Sequence, residues 1–365
     1  MRGHMAPVLL ALAAWLLAAP ALGHDLPRSY CTVRTVPGGI DVSLETAGHL
    51  LAQPLGLPSA SPDEALLRAS GARFAARALD AVSARTPEGA CSPSAEAPLV
   101  VEEDGEPSSV VMLHFACPAG PVTLRVAWRL DVDPSSETLC AIDGAAAVFR
   151  LGAIDREVGT PPTLARTLAD FTLLGVHHVA SGLDHVLFVV SLMAAAALAT
   201  RARAFGSALR AIAAVVTGFT LGHSVTLIGA GLGLLRLEPR LTESVIALSI
   251  VYVGVENIIR RELRGRAITA ALFGLVHGFG FASILADVEL PRRGAVAALV
   301  SFNVGVELGQ LALVVTLFPL LAWAARRPWY RPRVLVPLSA LVTVIAAIWF
   351  VERAAGVVLL PALGT

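Results

Sequence analysis

The chain has 365 residues, of which 55% are hydrophobic and 15% are charged, and its formal net charge is zero. A soluble domain carries about a quarter charged residues, so this composition argues against a wholly soluble protein. All basic residues are arginine and no basic run or tail occurs, which argues against nucleic acid as a partner. Residues 24–160 have an ordinary mixture, whereas 167–353 are mostly apolar. We therefore expect a soluble domain, then a membrane domain, then a tail over 354–365.

Residues 1–23 are typical of a signal peptide. Arg2 provides the positive start, residues 8–19 the apolar core, and Ala21-Leu22-Gly23 the small-residue cleavage site. We expect cleavage before His24, with an uncleaved anchor as the alternative.

All four cysteines fall between residues 24 and 160: Cys31, Cys91, Cys117 and Cys140. An even number of cysteines behind a signal peptide predicts an oxidising compartment and two disulfides. Three pairings are compatible with the sequence.

The exported domain is predicted to be small and β-rich, with at least one helix. Alternating apolar residues predict a strand at 39–45, and further strands are expected at 110–116 and 122–132. A helix is expected from Ser61, as a capping residue, to about Ala84.

Three histidines of this domain are candidates for an exported metal site. A mature chain that begins at His24 would offer its α-amine and imidazole to copper or zinc, and His49 and His114 could join it. The alternative is three ordinary surface histidines.

Six apolar segments follow, each near the ~20 residues that a spanning helix needs: 168–198, 207–233, 241–259, 267–287, 294–322 and 334–352. The first is long enough to tilt, or to break near Gly182. Alternate loops carry eleven arginines, and the opposite side carries five. The positive-inside rule then predicts a bacterial-type inner-membrane protein with its N-terminal domain outside the cytoplasm.

The predicted spans contain ionisable groups, which are costly in hydrocarbon and therefore indicate function. His178 and His185 are two helical turns apart and face one side, with Asp184 beside them. His223, His277 and Glu307 lie near mid-depth in later spans. These six residues are the candidate metal ligands. Supporting polar residues are predicted at His177, Ser224, Glu256, Asn257, Asn303 and Gln310.

Glycines at four-residue spacing accompany these groups. Gly218 and Gly222 precede His223, whereas Gly274 with Gly278 and Gly305 with Gly309 enclose His277 and Glu307. Small residues at this spacing let helices approach closely, as side chains from several helices must if they share one ion.

Imidazole with carboxylate suits nickel, cobalt, zinc or copper(II). The spans contain no cysteine and only Met193 as a methionine, which argues against copper(I). The alternative is that these side chains only hold the helices together.

Several segments resemble the HupE/UreJ family of hydrogenase and urease accessory membrane proteins. HVASGLDH at 178–185 fits the family signature H-P-x-x-G-x-D-H, with Val179 in place of the proline. A longer branch of that family, with an exported N-terminal domain, is similar in four further stretches: GFTLGHS (218–224), ALSIVYVGVEN (247–257), FGLVHGFGFAS (273–283) and FNVGVELGQ (302–310).

This resemblance implies a nickel or cobalt permease in which His178, Asp184 and His185 are ligands. We accordingly expect a membrane permease or metal-delivery protein for a divalent transition metal ion, nickel or cobalt, with zinc as another candidate. Its partners would be membrane lipid, the metal ion and a periplasmic protein, without nucleic acid or nucleotide. Two alternatives stay open: an intramembrane zinc-dependent hydrolase that uses Asp184 and Ser224, and a non-catalytic assembly factor.

Overall fold

The computed structural model describes residues 29–59, 62–103, 106–134, 136–143, 145–160, 163–201, 204–235, 237–259, 265–287, 292–355, 357 and 359. The predicted signal peptide, His24, Ser61 and most of the predicted tail lie outside these residues. The chain divides into two compact units. One comprises the described residues of Pro27–Asp170 and Ile284–Ala297, and the other those of Phe171–Ser283 and Ala298–Thr365.

The first unit contains two sheets, which confirms the predicted β-rich domain. Its strands are β1 (Ser29–Val36), β2 (Gly39–Ala47), β3 (Val82–Thr86), β4 (Gly89–Ala90), β5 (Ser92–Ala95), β6 (Leu99–Glu103), β7 (Glu106–Ala116), β8 (Thr123–Val126), β9 (Thr138–Ile142), β10 (Ala145–Phe149) and β11 (Asp155–Glu157). The larger sheet has the order β10-β9-β1-β2-β7-β5, with β6 also paired to β7. The smaller sheet has the order β11-β8-β3-β4.

The alternation read from the sequence is present in β2. Ile40, Val42 and Leu44 are fully buried, and the residues between them are half-buried. Successive strand side chains point to opposite faces, so one face of β2 forms core. Phe74 packs edge-on against the buried Trp128, with ring centroids 5.6 Å apart.

The single helix expected over 61–84 was wrong in its extent. After α1 (Gly48–Ala52), the structure has two helices, α2 (Glu64–Ala69) and α3 (Gly71–Ala81). Asp63 caps α2, because its carboxylate accepts a hydrogen bond from the Leu66 amide at 2.8 Å. Residues after Ala81 enter β3, where burial alternates as in a strand.

The strand expected over 122–132 was too long. β8 ends at Val126, and the following residues turn. Arg129 has a φ of 59°, a left-handed conformation that a strand cannot contain.

Two disulfides confirm the expected count and select one of the three pairings. Cys31 on β1 bonds to Cys140 on β9, and the two are directly paired in this parallel strand pair. Cys91 bonds to Cys117, immediately after β7. No free cysteine is present in the described part of the chain, which holds all four.

The second unit is helical, and three of its helices continue into the described residues of 164–170 and 284–297, which are counted with the first. The six predicted apolar segments all coincide with helices. These are α4 (Leu164–Ser181), α5 (Leu183–Ala196), α6 (Phe205–Gly231), α7 (Pro239–Ile259), α8 (Arg266–Asp287), α9 (Arg292–Ala325) and α10 (Val336–Ala355). A short 3-10 turn extends α5 to Arg201, and a π turn over Arg331–Leu335 leads into α10.

Five stretches among the described residues are long and apolar enough to cross a membrane: Leu183–Arg201, Phe205–Gly231, Arg240–Ile259, Ala295–Ala325 and Arg331–Ala355. α5 is buried on every side from Leu183 to Ala195. A helix that is buried all round lies inside a bundle, and α5 is therefore the central helix of this unit.

The first predicted segment breaks at Gly182. This residue has extended backbone angles (φ −73°, ψ 98°) and separates α4 from α5. A Cβ there would lie 2.7 Å from the His178 carbonyl oxygen and 3.0 Å from Asp184 Oδ1, so only glycine fits. The break brings the side chains on its two sides close together.

The glycine pairs permit close helix contacts, as expected. A Cβ on Gly222 of α6 would lie 2.1 Å from the Ala271 carbonyl oxygen of α8, and one on Gly274 of α8 would lie 2.0 Å from that of Phe219. α4 and α9 meet in the same way, with Gly305 against the Thr172 carbonyl oxygen at 2.0 Å. Helices whose backbones are in contact are close enough for their polar side chains to reach one another.

Candidate metal centre

Three histidines from three helices converge inside the helical unit. Ligand atoms of His178 on α4, His185 on α5 and His223 on α6 all lie within 4.8 Å of one another. The three side chains are buried, with 6%, 2% and 0% exposure. The break at Gly182 accounts for part of this geometry, because it lets His178 and His185 approach to a ring distance of 4.6 Å. We call these three residues, with Asp184 and His277, the histidine centre.

His277 on α8 joins the centre beside His185. The two ring centroids are 5.5 Å apart, and His277 Nε2 lies 3.9 Å from Asp184 Oδ2. Asp184 is 1% exposed and also accepts a hydrogen bond from His185 Nδ1 at 3.0 Å. It lies in the first turn of α5, where the helix dipole favours a carboxylate.

Three histidines of the centre, His185, His223 and His277, have their Nδ1 atoms in hydrogen bonds and their Nε2 atoms buried. His223 Nδ1 donates to Asn303 Oδ1 at 2.9 Å, and His277 Nδ1 donates to the Phe273 carbonyl oxygen at 2.9 Å. Asn303 is itself oriented, since its amide nitrogen donates to the Leu299 carbonyl oxygen. An Nδ1–H that donates to oxygen fixes the tautomer and leaves the Nε2 lone pair for a ligand.

The donor set fits a divalent transition metal ion. Within the described chain, Nε2 of His185, His223 and His277 has no hydrogen-bond partner, although all three side chains are buried. Buried polar atoms are normally hydrogen-bonded, and such exceptions call for an explanation. Metal-binding histidines use one ring nitrogen for the ion and donate the other N–H to oxygen, as these do.

Aromatic side chains surround the centre, and the sequence reasoning missed them. Phe219 lies 4.9 Å from His277 and 5.8 Å from His185 between ring centroids, and Phe302 lies 5.3 Å from His178. Phe188 lies 5.7 Å from His277. Two of these phenylalanines could have been predicted from the sequence, since Phe219 is one helical turn from His223 and Phe302 adjoins Asn303. Their rings exclude water and lower the local dielectric.

Glu307 is placed apart from the three clustered histidines. Asn303, Glu307 and Gln310 are spaced at i, i+4 and i+7 on α9, and all three contact α6. Asn303 accepts from His223, whereas Glu307 Oε1 accepts from Thr217 Oγ1 at 2.6 Å. Gln310 Oε1 accepts from Thr220 Oγ1 at 3.1 Å.

The other supporting residues have separate surroundings. His177 is half-buried next to His178, and Ser224 donates its hydroxyl to the Thr220 carbonyl oxygen at 2.7 Å. Ser224 is thus directed at helix backbone in this arrangement.

Glu256 and Asn257, near the end of α7, contact Arg266, a partner that the sequence reasoning did not name. Glu256 Oε2 lies 3.2 Å from Arg266, and Asn257 Oδ1 accepts from the same guanidinium at 2.6 Å. Asn257 also donates to the Ser191 carbonyl oxygen of α5 at 2.9 Å.

The histidines of the β-rich unit are also located. His49 is half-buried in α1, and His24 lies outside the described residues. His114 on β7 lies between two carboxylates, with Nδ1 2.8 Å from Asp41 Oδ1 and Nε2 2.9 Å from Glu96 Oε1. These hydrogen bonds, that with Asp41 first, raise the pKa of His114.

A bundle of apolar helices around enclosed histidines and a carboxylate defines a multi-pass membrane protein with a candidate metal site. The sequence model of the family described as HupE / UreJ protein matches residues 155–353, more than half of the chain. The chain belongs to the HupE/UreJ family, as its motifs predicted. Membership indicates an accessory membrane protein concerned with a metal. No curated protein and no solved structure matches this chain.

Proposed function

We propose that this protein is a permease, or a membrane-embedded delivery protein, for a divalent transition metal ion of the nickel or cobalt type. The single observation that carries the proposal is the convergence of His178, His185 and His223, with their ligand atoms within 4.8 Å of one another. The metal ion is the cargo, and His277 and Asp184 complete the donors around it.

The chemistry of the histidine centre supports this choice. Neutral imidazole and carboxylate replace the water shell of a nickel or cobalt ion, and both metals accept imidazole readily. His185 would hold the ion through Nε2 while Asp184 accepts its Nδ1–H and offsets part of the positive charge. Since a protonated imidazole cannot bind metal, acid would weaken binding and promote release.

The proposed setting is a bacterial-type inner membrane, with the β-rich domain exported. The two disulfides agree with an oxidising compartment for that domain, and the arginine bias of alternate loops agrees with the opposite side being cytoplasmic. The exported domain would present metal to the membrane unit or bind a periplasmic partner. His24 and His49 are its proposed metal-binding residues, whereas both ring nitrogens of His114 are already bonded to Asp41 and Glu96.

The first test is metal binding by the detergent-purified full chain. Wild type, His185→Ala and His177→Ala are dialysed without chelator, loaded with Ni²⁺ or Co²⁺, and analysed by plasma mass spectrometry. We expect His185→Ala to lose at least ~10–100-fold in affinity, because loss of a group that only supports a metal ligand already costs that much. His177→Ala is the matched control, because it removes the neighbouring histidine that lies outside the clustered three.

The same variants are then compared for Ni²⁺ or Co²⁺ uptake into proteoliposomes. Uptake that depends on His185 and not on His177 supports a permease. Tightly held stoichiometric zinc that is lost in His185→Ala would favour the intramembrane hydrolase instead. Equal metal content in all three proteins would overturn the proposal and leave a structural role for the histidines.

A further inference from the structure

A second polar cluster lies between α6 and α9, further along both helices from the histidine centre. It consists of Thr217 and Thr220 on α6 with Glu307 and Gln310 on α9, and we call it the Glu307 cluster. Thr217 Oγ1 donates to Glu307 Oε1 at 2.6 Å, and Thr220 Oγ1 lies 3.1 Å from Gln310 Oε1. Both pairs join residues three apart on one helix to residues three apart on the other, so the four side chains are neighbours.

The Glu307 cluster is displaced from the histidine centre in one direction. Thr220 and Thr217 are three and six residues before His223, which is roughly 5 and 9 Å along a helix at 1.5 Å per residue. Glu307 and Gln310 follow Asn303 by four and seven residues, roughly 6 and 10 Å in the same direction along the antiparallel α9. Under the proposed topology this direction leads towards the cytoplasm.

One carboxylate oxygen of the cluster has unused capacity as an acceptor, and one amide nitrogen has unused capacity as a donor. Glu307 Oε2 and Gln310 Nε2 have no hydrogen-bond partner within the part of the chain that the structure describes. Gln310 is 0% exposed and Thr220 is 7% exposed, whereas Glu307 is half-buried and Thr217 lies on the exposed side of α6. A carboxylate inside a spanning helix is costly, so an unsatisfied oxygen there indicates that a further group binds.

The histidine centre and the Glu307 cluster offer different kinds of donor atom. The histidine centre offers imidazole nitrogens, whereas the Glu307 cluster offers a carboxylate, two hydroxyls and an amide oxygen. Oxygen donors bind nickel and cobalt less strongly than imidazole sites do. A conducting pathway needs such weaker positions, because an ion must be able to leave each site after it has bound.

We propose that the Glu307 cluster is a second, oxygen-donor site for the divalent cation, which receives the ion from the histidine centre. This inference rests on the proposed function and deepens it. Glu307 would be the charged ligand, with the Thr217 hydroxyl and the Gln310 amide oxygen completing the oxygen set. The histidine centre would then bind its ion without Glu307.

The test measures Co²⁺ binding and Co²⁺ uptake separately, on the full chain. The variants are Glu307→Gln, which removes the charge, Thr217→Val, which removes the hydroxyl at similar volume, and Glu307→Asp, which keeps the carboxylate. His185→Ala serves as the reference for loss of the histidine centre. Visible absorption of Co²⁺ distinguishes nitrogen-rich from oxygen-rich coordination, and equilibrium dialysis counts the ions.

We expect Glu307→Gln to bind one Co²⁺ fewer than wild type and to retain the nitrogen-rich absorption with its affinity. Uptake should fall at least ~10-fold, comparable to the loss of an outer group at a metal site. Thr217→Val should show a smaller loss and Glu307→Asp an intermediate rate. Unchanged ion count and uptake in Glu307→Gln would overturn the inference.

Two further outcomes separate a failure of this inference from a failure of the proposed function. Loss of the nitrogen-rich absorption in Glu307→Gln would overturn the inference by making Glu307 a ligand of the histidine centre. An unchanged ion count and uptake in His185→Ala would instead be the failure of the proposed function, whatever Glu307→Gln does.

Discussion

His185 is oriented for a ligand by its own sequence neighbour. Adjacent residues on a helix do not normally face each other. Here the break at Gly182 starts a new helix, and Asp184 in its first turn accepts from His185 Nδ1 at 3.0 Å. The sequence identified both residues as candidates. It could not indicate which ring nitrogen would face the centre, because that depends on the acceptor each ring meets after folding.

A second histidine, His114, should make the stability of the β-rich unit depend on pH. Because Asp41 and Glu96 raise the pKa of His114 above its ordinary 6.5, the protonated ring stabilises the fold. That stabilisation is fully present below about pH 6.5 and is lost as the pH rises through the folded-state pKa. His114→Gln should therefore lower stability at about pH 5.5 and have less effect at about pH 9.

The measurement is thermal unfolding of the full chain, followed by tryptophan fluorescence at both pH values. The side chains are partly exposed, so the difference should not exceed about 1 kcal/mol. Asp41→Asn should reproduce the same trend, since it removes one of the two negative charges beside His114. A His114→Gln effect that is equal at both pH values would show that the charge of His114 contributes nothing.

At the scale of whole helices, glycines determine how closely α6 and α8 approach. The Cβ of an alanine at position 222 would lie 2.1 Å from the Ala271 carbonyl oxygen, and backbone atoms cannot move aside as a side chain can. His223 follows directly on α6 and His277 lies on α8, so separation of these helices would also open the histidine centre.

Gly222→Ala should therefore destabilise the protein by about 1–3 kcal/mol, the usual cost of overpacking. It should also weaken Co²⁺ binding. Thermal unfolding in detergent and equilibrium dialysis measure the two effects. Gly206→Ala is the matched control, because nothing lies within 4 Å of a Cβ at that helical glycine. If Gly222→Ala and Gly206→Ala had equal stability and equal Co²⁺ affinity, close packing at Gly222 would not support the histidine centre.

At the scale of the molecule, the two disulfides close chain loops of very different length. Cys31–Cys140 spans 109 residues, whereas Cys91–Cys117 spans 26. A cross-link restricts the unfolded chain more when its loop is longer. We expect loss of the first bond to cost about 4.8 kcal/mol and loss of the second about 3.5 kcal/mol.

Paired Cys→Ala variants of each bond, compared by thermal unfolding of the full chain, test this order. Gel mobility with and without reductant checks which bond is intact. If the Cys91–Cys117 pair of variants is the less stable one, loop length does not explain the contribution of these bonds.

The sequence by itself determined the division into a β-rich region and a set of apolar helices. The composition of a segment and the period of its hydrophobic residues are both local properties, which do not depend on tertiary contacts. It also identified the family and named the residues that form the histidine centre. It misjudged the end of the helix at 61–84, since the pairing of Val82 with Val126 depends on a contact distant in sequence. The cap at Asp63 is local, because its partner Leu66 is three residues away.

Only the tertiary structure decided how the polar residues are grouped. Periodicity puts His223, Asn303 and Glu307 on suitable helix faces, but the offset between two helices fixes which side chains meet. That offset places Asn303 against His223 and Glu307 against Thr217. The disulfide pairing was decided in the same way, by the parallel register of β1 and β9 that puts Cys31 opposite Cys140. Neither the helix offset nor the strand register has a local signal, because each is set by the packing of segments far apart in the chain.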